Sequence, residues 1–361
     1  MKTRRRQFVE RLTSEISYLE FNLNPTKKSE EEERDWSGLI DSMLFSILGR
    51  LETLEDFFSF RGVCRNWRSI SSPCPETLAS QSPLILLTRF PSYTEAFFDI
   101  SRRRLYNFQL PWRLYSRFSL AFSHGFLVTS TEPPRSRILL WNLFSGDHIR
   151  LPRSPEPFRR VILSSPPSSP QCLMVLFHPG NSTIQFSWLG DSLWKVHSWG
   201  PAHLIHDMIF FQGRLFALIN GRLALVDLAP CPQFTLLEDS LDVEWKRNSQ
   251  RFLAKSGEEL LLVCCFEFSI FRWAFGGGGW VELKSLDGRA LFIGLGGFAA
   301  SVVPPCLGVR ENCVYFAGRN ADGWCEFSLK DRCLETVSVA SPGLLRSQTS
   351  LPPIWVLPSL S

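Results

Sequence analysis

The sequence lacks the motifs by which most enzyme sites are recognised. No C-x-x-C or H-E-x-x-H pattern occurs, so a zinc site with standard ligand spacing is not indicated. A G-x-S-x-G pattern is also missing, which removes the nucleophile elbow of an α/β-hydrolase. No pair of carboxylates is specific enough to propose as general acid and base. The sequence therefore gives no positive argument for catalysis, a cofactor or a metal.

The sequence also lacks a large excess of positive or negative charge. The formal net charge of the 361 residues is +4, and 20% of them are charged, which is too weak and too mixed to indicate a nucleic acid or an acidic membrane as partner. The basic start, Arg4 to Arg6, meets Glu10 before any apolar segment develops, so we expect no secretory signal. A nuclear-import role for this cluster stays an alternative. The 10 Cys are spread out, which favours reduced thiols in the cytoplasm, the nucleus or both.

Long hydrophobic runs are missing, with one exception. Residues 290–309 carry no charge, but Gly294 and the pair Pro304-Pro305 interrupt them. Proline would break a membrane-spanning helix in its middle. We therefore expect buried strands joined by glycine turns here, and no membrane partner.

Aromatic residues are unevenly used, with 30 Phe and 12 Trp against 5 Tyr. Such residues fit the pleat of β-strands and bury a large area each. From Ser82 onward, short apolar runs with period two alternate with Gly, Pro, Asn and Asp, and long helical patterns are missing. This favours an all-β sandwich, barrel or propeller. The runs are Leu84 to Leu87, Phe126 to Val128, Ile138 to Trp141, Leu173 to Phe177, Ile184 to Trp188, Leu215 to Ile219, Leu223 to Val226, Leu260 to Phe266, Ser269 to Trp273 and Cys313 to Phe316.

A weak internal repeat selects the propeller among these folds. In each copy a small residue precedes an apolar strand, and a second strand, an acidic or polar turn and a closing strand with Trp or aliphatic residues follow. The copies begin at His124-Gly125, Gln212-Gly213, Gly257-Glu258 and Glu311-Asn312. Units of this size with four strands each correspond to propeller blades. We predict about six four-stranded blades over residues 82–361.

The preceding residues differ in character. Residues 1–34 resemble a charged leader that ends in Glu30 to Glu33, and residues 73–81 form a linker. Between them, residues 35–72 predict a compact helical unit. Its first helix carries Leu44, Ile47, Leu48 and Leu51 on one face, and a capping box at Thr53 opens a second helix with Phe57, Phe60, Cys64 and Trp67.

Three patterns suggest ligand sites and are each better explained otherwise. Gly294 to Ala299 fits a dinucleotide fingerprint, but Pro304 leaves room for only about one helical turn after it. Gly276 to Gly279 could cradle a phosphate, yet no G-K-[ST] follows. His203, His206 and Asp207 are too few to indicate a metal site. We interpret the first pattern as a turn between strands and the second as a hairpin tip. We interpret the histidines of the third as ordinary loop histidines.

The helical unit closely resembles a plant F-box. The resemblance rests on Asp35 to Leu44, on Ile47 to Leu51 and on Asp56 to Ser69, which closes with Val-Cys-Arg-Asn-Trp-Arg before Ser69. In that family a proline usually follows the first leucine, where this chain has Ile40. The departure lies at the start of the adaptor-binding loop, so weaker adaptor binding is one expectation.

The remaining chain resembles the kelch-like propeller domains of unassigned function that follow many plant F-boxes. Matching segments include Ser123 to Val128, Trp141 to Pro152, Phe211 to Leu218, Ser256 to Val263, Leu286 to Gly294, Glu311 to Phe316 and Pro352 to Leu360. The resemblance implies that the glycines after Phe292 form a recurring turn.

Together the resemblances imply a non-catalytic, substrate-recognition subunit of a Skp–cullin–F-box ubiquitin ligase. The F-box would bind the Skp adaptor, and through it a cullin, and the propeller would hold a protein target. An alternative is a non-ligase scaffold or regulator with a drifted F-box. The residues expected to bind the adaptor, some of them within the core of the unit, are Leu39, Ile40, Leu44, Leu48, Leu51, Phe57, Val63 and Trp67.

Overall fold

The computed structural model describes most of the chain from Trp36 onward and divides it into two compact units, Met1–Ser80 and Gln81–Ser361. The described residues are 36–51, 54–71, 83–89, 94–108, 118–131, 136–142, 147–237, 250–265, 268–295, 298–303, 308–317, 323–338 and 353–356. The predicted leader and the predicted linker lie outside these residues.

The first unit is helical. A 3₁₀ turn, Trp36–Gly38, precedes helices α1 (Asp41–Leu48), α2 (Leu54–Arg61) and α3 (Arg65–Ile70). The prediction of one helix through Phe57 and Trp67 was wrong, because the chain leaves the helix at Gly62 and turns before α3. Cys64 is the N-cap of α3 with extended backbone (φ −154°), and glycine in a helix is unfavourable.

The second unit is built from strands. In chain order these are β1 (Leu84–Arg89), β2 (Thr94–Asp99), β3 (Arg104–Phe108), β4 (Phe118–Ser123), β5 (Phe126–Ser130), β6 (Arg137–Asn142), β7 (His148–Arg153), β8 (Arg160–Leu163), β9 (Leu173–Phe177), β10 (Thr183–Trp188), β11 (Lys195–Ser198), β12 (Ile205–Phe211), β13 (Arg214–Ile219), β14 (Arg222–Asp227), β15 (Gln233–Leu236), β16 (Arg251–Ser256), β17 (Glu259–Cys264), β18 (Ser269–Ala274), β19 (Gly279–Leu283), β20 (Ala290–Gly294), β21 (Ala299–Val302), β22 (Cys313–Ala317), β23 (Gly323–Ser328), β24 (Cys333–Ser338) and β25 (Ile354–Val356).

These strands form six sheets, which are the blades of a β-propeller. Blade 1 has the order β25-β1-β2-β3, and blades 2 to 5 are β4–β7, β8–β11, β12–β15 and β16–β19. Blade 6 has five strands in the order β21-β20-β22-β23-β24, with β20 and β22 parallel. The predicted propeller of about six four-stranded blades is confirmed, with one strand more in the last blade.

The ring is closed by the last strand of the chain. Strand β25 pairs with β1 in blade 1, so one sheet joins segments from the two ends of the unit. Trp355 on β25 is fully buried, and its indole Nε1 donates a hydrogen bond to the carbonyl of Ile293 at 3.0 Å. Its ring packs against Phe292 and Trp324 with centroids 4.9 and 6.2 Å away. Aromatic side chains thus fill the wedge between blades 6 and 1.

Neighbouring blades share apolar cores. One cluster joins blades 3 and 4 and includes Phe177 and Met208. Another joins blades 5 and 6 through Phe252 and Val314. Two further clusters join blades 2 to 3 and 4 to 5. Because these clusters cover both faces of a blade, middle strands such as β9 and β13 are buried along nearly their whole length, whereas β18 is only partly buried.

Tight hairpins explain the internal repeat. His124 and Gly125 have φ of 48° and 78°, and Gln212 and Gly213 have φ of 47° and 73°. Positive φ at both central residues defines a type I′ turn, whose twist matches that of the flanking strands. In these two copies the repeat marks the turn between the first and second strands of a blade, whereas the copy at Glu311-Asn312 precedes β22, which pairs with β20 and β23 and not with the preceding strand β21.

The uncharged stretch from Ala290 folds into β20 and β21, so the expected strands are confirmed. The helices within the described ranges include none with the length and apolar character to span a membrane.

Candidate adaptor-binding surface

Aromatic packing holds the helical unit together. Phe60 of α2 and Trp67 of α3 lie with ring centroids 4.5 Å apart, and both side chains are buried. The indole Nε1 of Trp67 donates a hydrogen bond to the carbonyl of Trp36 at 3.0 Å. This bond fastens the 3₁₀ turn to α3 and so positions the segment that leads into α1.

A buried arginine joins the ends of α2 and α3. The Nη1 of Arg61 donates hydrogen bonds to Ser71 Oγ at 3.0 Å and to the Ser71 carbonyl at 3.3 Å. The guanidinium also lies over the Phe57 ring, 5.7 Å from its centroid. Because the last carbonyls of a helix have no partner within the helix, these bonds stabilise the end of α3.

The structure sorts the eight residues expected to bind an adaptor. Five are buried within the chain and belong to the core, so they are unavailable to a partner in this conformation: Leu44, Leu48, Leu51, Phe57 and Trp67. Leu39 and Val63 are half-buried. Ile40 is 62% exposed and is the N-cap of α1, in extended backbone. The prediction of adaptor contact therefore narrows to Leu39, Ile40 and Val63.

Phe45 is an exposed apolar residue that the sequence argument did not select. Its side chain is 54% exposed on α1. The sequence contained the information needed to find it. Phe45 lies outside the helix face formed by the buried residues Leu44, Ile47 and Leu48, so its side chain must face another direction. We call Ile40 and Phe45 the exposed pair. Both side chains are large, apolar and exposed at or on α1, so both are available to a partner.

The glycine motif at Gly294 lies in a β-hairpin. Strand β20 ends at Gly294, and β21 begins at Ala299 and pairs back onto β20. The Gly294 N–H donates to the carbonyl of Phe298 at 2.8 Å. Dinucleotide binding requires a helix whose N-terminus meets the pyrophosphate, whereas a strand follows here. The strands on either side of the expected turn are confirmed, and Gly296 and Gly297 lie outside the described residues.

The histidine group does not converge on a metal. The Nδ1 of His203 lies 2.9 Å from the carbonyl of Trp199, and its ring packs against Phe234. Burial, together with the positive charge of Arg251, lowers the pKa of His206. In the described part of the chain, no group of three or more His, Cys, Asp or Glu is arranged to hold a metal ion.

Asp207 instead belongs to a buried ion pair among the innermost strands. Its Oδ1 accepts a hydrogen bond from Arg160 Nη1 at 2.5 Å, and its Oδ2 accepts one from the Leu253 N–H at 2.7 Å. The Arg160 guanidinium lies 4.6 Å from the centroid of the Phe252 ring. Burial raises the pKa of Asp207, against the opposing effect of Arg160. These contacts link blades 3, 4 and 5.

The other glycine run is the tip of a hairpin. Gly276 to Gly279 connect β18 to β19, and the N–H groups of Gly277 and Gly278 both donate to the carbonyl of Ala274. Beside this tip Phe275 is 56% exposed and stacks on Phe211 with centroids 5.9 Å apart. The expected hairpin tip is confirmed.

Comparison with known families agrees with this division of the chain. Residues 36–77 match the F-box domain. Residues 97–338 match the family described as KIB1-4 beta-propeller. The kelch-like character expected from the sequence stays a prediction. None of the curated proteins matches the chain.

Solved structures resemble this chain only distantly. The chain is similar to TolB from Acinetobacter baumannii at 14% identity and a TM-score of 0.46, over 84% of this chain and 73% of that one. It is similar to YCF48 bound to D1 peptide at 18% identity and a TM-score of 0.35, over 52% and 60%. For Kluyvelomyces marxianus Hsv2 the identity is 14% and the TM-score 0.33, over 53% and 64%. These likenesses carry no argument about function.

Proposed function

We propose that this chain, which belongs to the KIB1-4 β-propeller family and carries an F-box domain, is the substrate-recognition subunit of a Skp–cullin–F-box ubiquitin ligase. An F-box followed by a propeller is the architecture of an F-box substrate adaptor. The F-box binds a Skp-type adaptor and through it a cullin, and the propeller holds the target protein. The chain acts by proximity, because it brings the target to the ubiquitin-loaded enzyme.

The observation that carries the proposal is the exposed pair on the F-box. Ile40 and Phe45 are 62% and 54% exposed, and among the residues of this unit that the structure describes the buried apolar side chains are Leu44, Ile47, Leu48, Leu51, Phe57, Phe60 and Trp67. A small unit that leaves large apolar groups in water gains free energy when a partner covers them. F-box domains bind Skp-type adaptors in general, and such an adaptor is the partner we propose.

The test is a pull-down of the full-length chain on an immobilised Skp-type adaptor. The double variant Ile40→Asp with Phe45→Asp places charges where apolar contact is expected, and we predict at least a tenfold loss of affinity, about 1.4 kcal/mol or more. The matched control is Leu193→Asp on the propeller, where the wild-type side chain is 76% exposed. We expect this variant to bind like the wild type. Circular dichroism should show that all proteins are folded.

Failure of the wild-type chain to bind any Skp-type adaptor would contradict the ligase proposal. It would favour the alternative in which Ile40 marks a drifted F-box and the chain is a scaffold. We place the ligase in the cytoplasm, the nucleus or both, with a protein target and neither nucleic acid nor membrane as partner. Affinity purification under proteasome inhibition, with the wild type compared to an F-box deletion, would identify the target.

A further inference from the structure

Lysine is unevenly distributed along the chain. Residues 29–194 contain 17 arginines and no lysine. Residues 195–361 contain 10 arginines and 5 lysines. The lysine-free stretch includes α1 to α3 and strands β1 to β10. A bias of the whole chain toward arginine does not explain this contrast, because the second half would then lack lysine as well.

Packing requires arginine at some of these positions. Arg160 is buried and pairs with Asp207, and Arg61 reaches two acceptors on Ser71. A planar guanidinium with several fixed donors suits such sites, and an ammonium does not replace it. The structure therefore accounts for arginine at buried positions.

Packing does not require arginine at the exposed positions. Five exposed arginines form a set that we call the free arginines, because in the described part of the chain their side chains make no hydrogen bond, ion pair or ring contact: Arg50, Arg65, Arg103, Arg150 and Arg153. A solvated lysine would supply the same charge at each of these positions. What the chain avoids there is the amine itself.

The amine matters because ubiquitin is attached to it. A deprotonated lysine Nζ attacks the thioester carbonyl of ubiquitin on its conjugating enzyme. An isopeptide bond forms, the C–S bond breaks, the enzyme thiol leaves and the ammonium proton passes to solvent. An arginine guanidinium stays protonated, with a pKa above about 12, and is not a nucleophile. Arginine thus keeps the positive charge and removes the acceptor.

We infer that residues 29–194 are protected against ubiquitin attachment and that self-modification of this chain is confined to lysines outside that stretch. This rests on the proposed ligase function, because a subunit that stays bound to a ligase presents its own amines at a high effective concentration. In the described residues the acceptors are Lys195, Lys255, Lys284 and Lys330, all exposed. The ion pair of Lys284 with Glu282 is exposed and too weak to block it.

The experiment replaces the five free arginines by lysine, as R50K, R65K, R103K, R150K and R153K in one full-length chain. The charge is unchanged, so we expect unchanged circular dichroism and adaptor binding. With adaptor, cullin, conjugating enzyme and ubiquitin, we expect several-fold more self-conjugate than in the wild type, and mass spectrometry should find ubiquitin on the new lysines. The matched control is R214K, an exposed arginine in the half that already contains lysine, where we expect little change.

Equal self-conjugation of the wild type and the five-lysine variant, with adaptor binding intact, would overturn the inference. Adaptor binding of the wild type is measured separately, and a wild type that does not bind an adaptor would show that the proposed ligase function has failed. In that case a second measurement still tests the inference. In a chase after translation is stopped in cells, the variant should be degraded faster than the wild type, and proteasome inhibition should remove the difference. Equal half-lives would again overturn it.

Discussion

The two units of this protein differ in how much core they build. The propeller covers its blades with one another and closes the ring with β25, so that Trp355 is fully buried. Among its described residues the helical unit buries seven apolar side chains, and both units leave large apolar side chains exposed, such as Ile40 in the first and Leu193 in the second. A ring that closes on itself supplies a large core, whereas a unit as small as the helical one has little core of its own. Each unit contains a fully buried tryptophan, so the same substitution made in both units compares their stabilities.

The largest expected effect is on the helical unit. We predict that Trp67→Ala, which removes about 3–5 kcal/mol of buried contact, unfolds this unit, because a unit of this size has little stability to lose. Hydrogen exchange should show that α1 to α3 lose protection while the propeller strands keep theirs. Adaptor binding should disappear as well. Retained protection of α3 would show that the helical unit is more independent than its small core indicates.

The corresponding change in the propeller, Trp355→Ala, should leave the ring folded but weaker. It removes the indole that packs on Phe292 and bonds to Ile293, and we expect a loss of about 4 kcal/mol in the free energy of unfolding. Urea denaturation followed by circular dichroism measures it. Leu193→Ala, at a side chain 76% exposed, is the control and should change stability by less than about 0.5 kcal/mol.

A smaller loss is expected when the buried ion pair is broken. In Asp207→Asn the charge of Arg160 stays buried without its carboxylate, and we predict a loss of about 3 kcal/mol. The double variant Arg160→Met with Asp207→Leu removes both charges and should recover most of this loss. If the double variant were as unstable as the single one, packing of the side chains rather than charge would hold blades 3 to 5 together.

The smallest effect concerns pH. Burial, aided by Arg251, lowers the pKa of His206 below its ordinary value of 6.5, and burial does the same for His124. As pH falls below 6.5, the unfolded chain binds protons that the folded chain does not, so the propeller should lose stability, by less than about 1 kcal/mol per group near pH 6. Urea denaturation of His124→Gln with His206→Gln should show a weaker pH dependence between 7.5 and 5.5. An unchanged slope would contradict this assignment.

The middle strands of the blades were predictable from sequence, and their neighbours were not. All ten apolar runs that the sequence indicates are strands in the structure, and each is a middle strand of its blade, such as β9 and β13. These strands are covered on both faces, so they read as continuous apolar runs. The outermost strands β7, β11 and β15 are mostly exposed, and their mixed sequences do not stand out from loops.

The pairing partners of the parallel strand β20 and of the closing strand β25 escaped the sequence argument. Both depend on pairing with distant segments, β20 with β22 and β25 with β1, and no local pattern encodes such a partner. In the F-box the sequence correctly indicated the buried face of α1, with Leu44, Ile47 and Leu48. It did not separate residues that pack inward from those that face a partner, because Leu44 and Ile40 are equally apolar and differ only in the direction their side chains take.

Closure by β25 also sets an order of events during synthesis. Strand β1 pairs with residues that are separated from it by almost the whole propeller, and bringing such distant segments together is slow. The ribosome must release Ile354 to Val356 before blade 1 gains its innermost strand and Trp355 enters its wedge. The F-box helices have left the ribosome long before that moment. A growing chain can therefore expose its F-box helices while its ring is still open, and an early stop before β25 would leave a chain with its F-box helices but without the strand that closes the propeller.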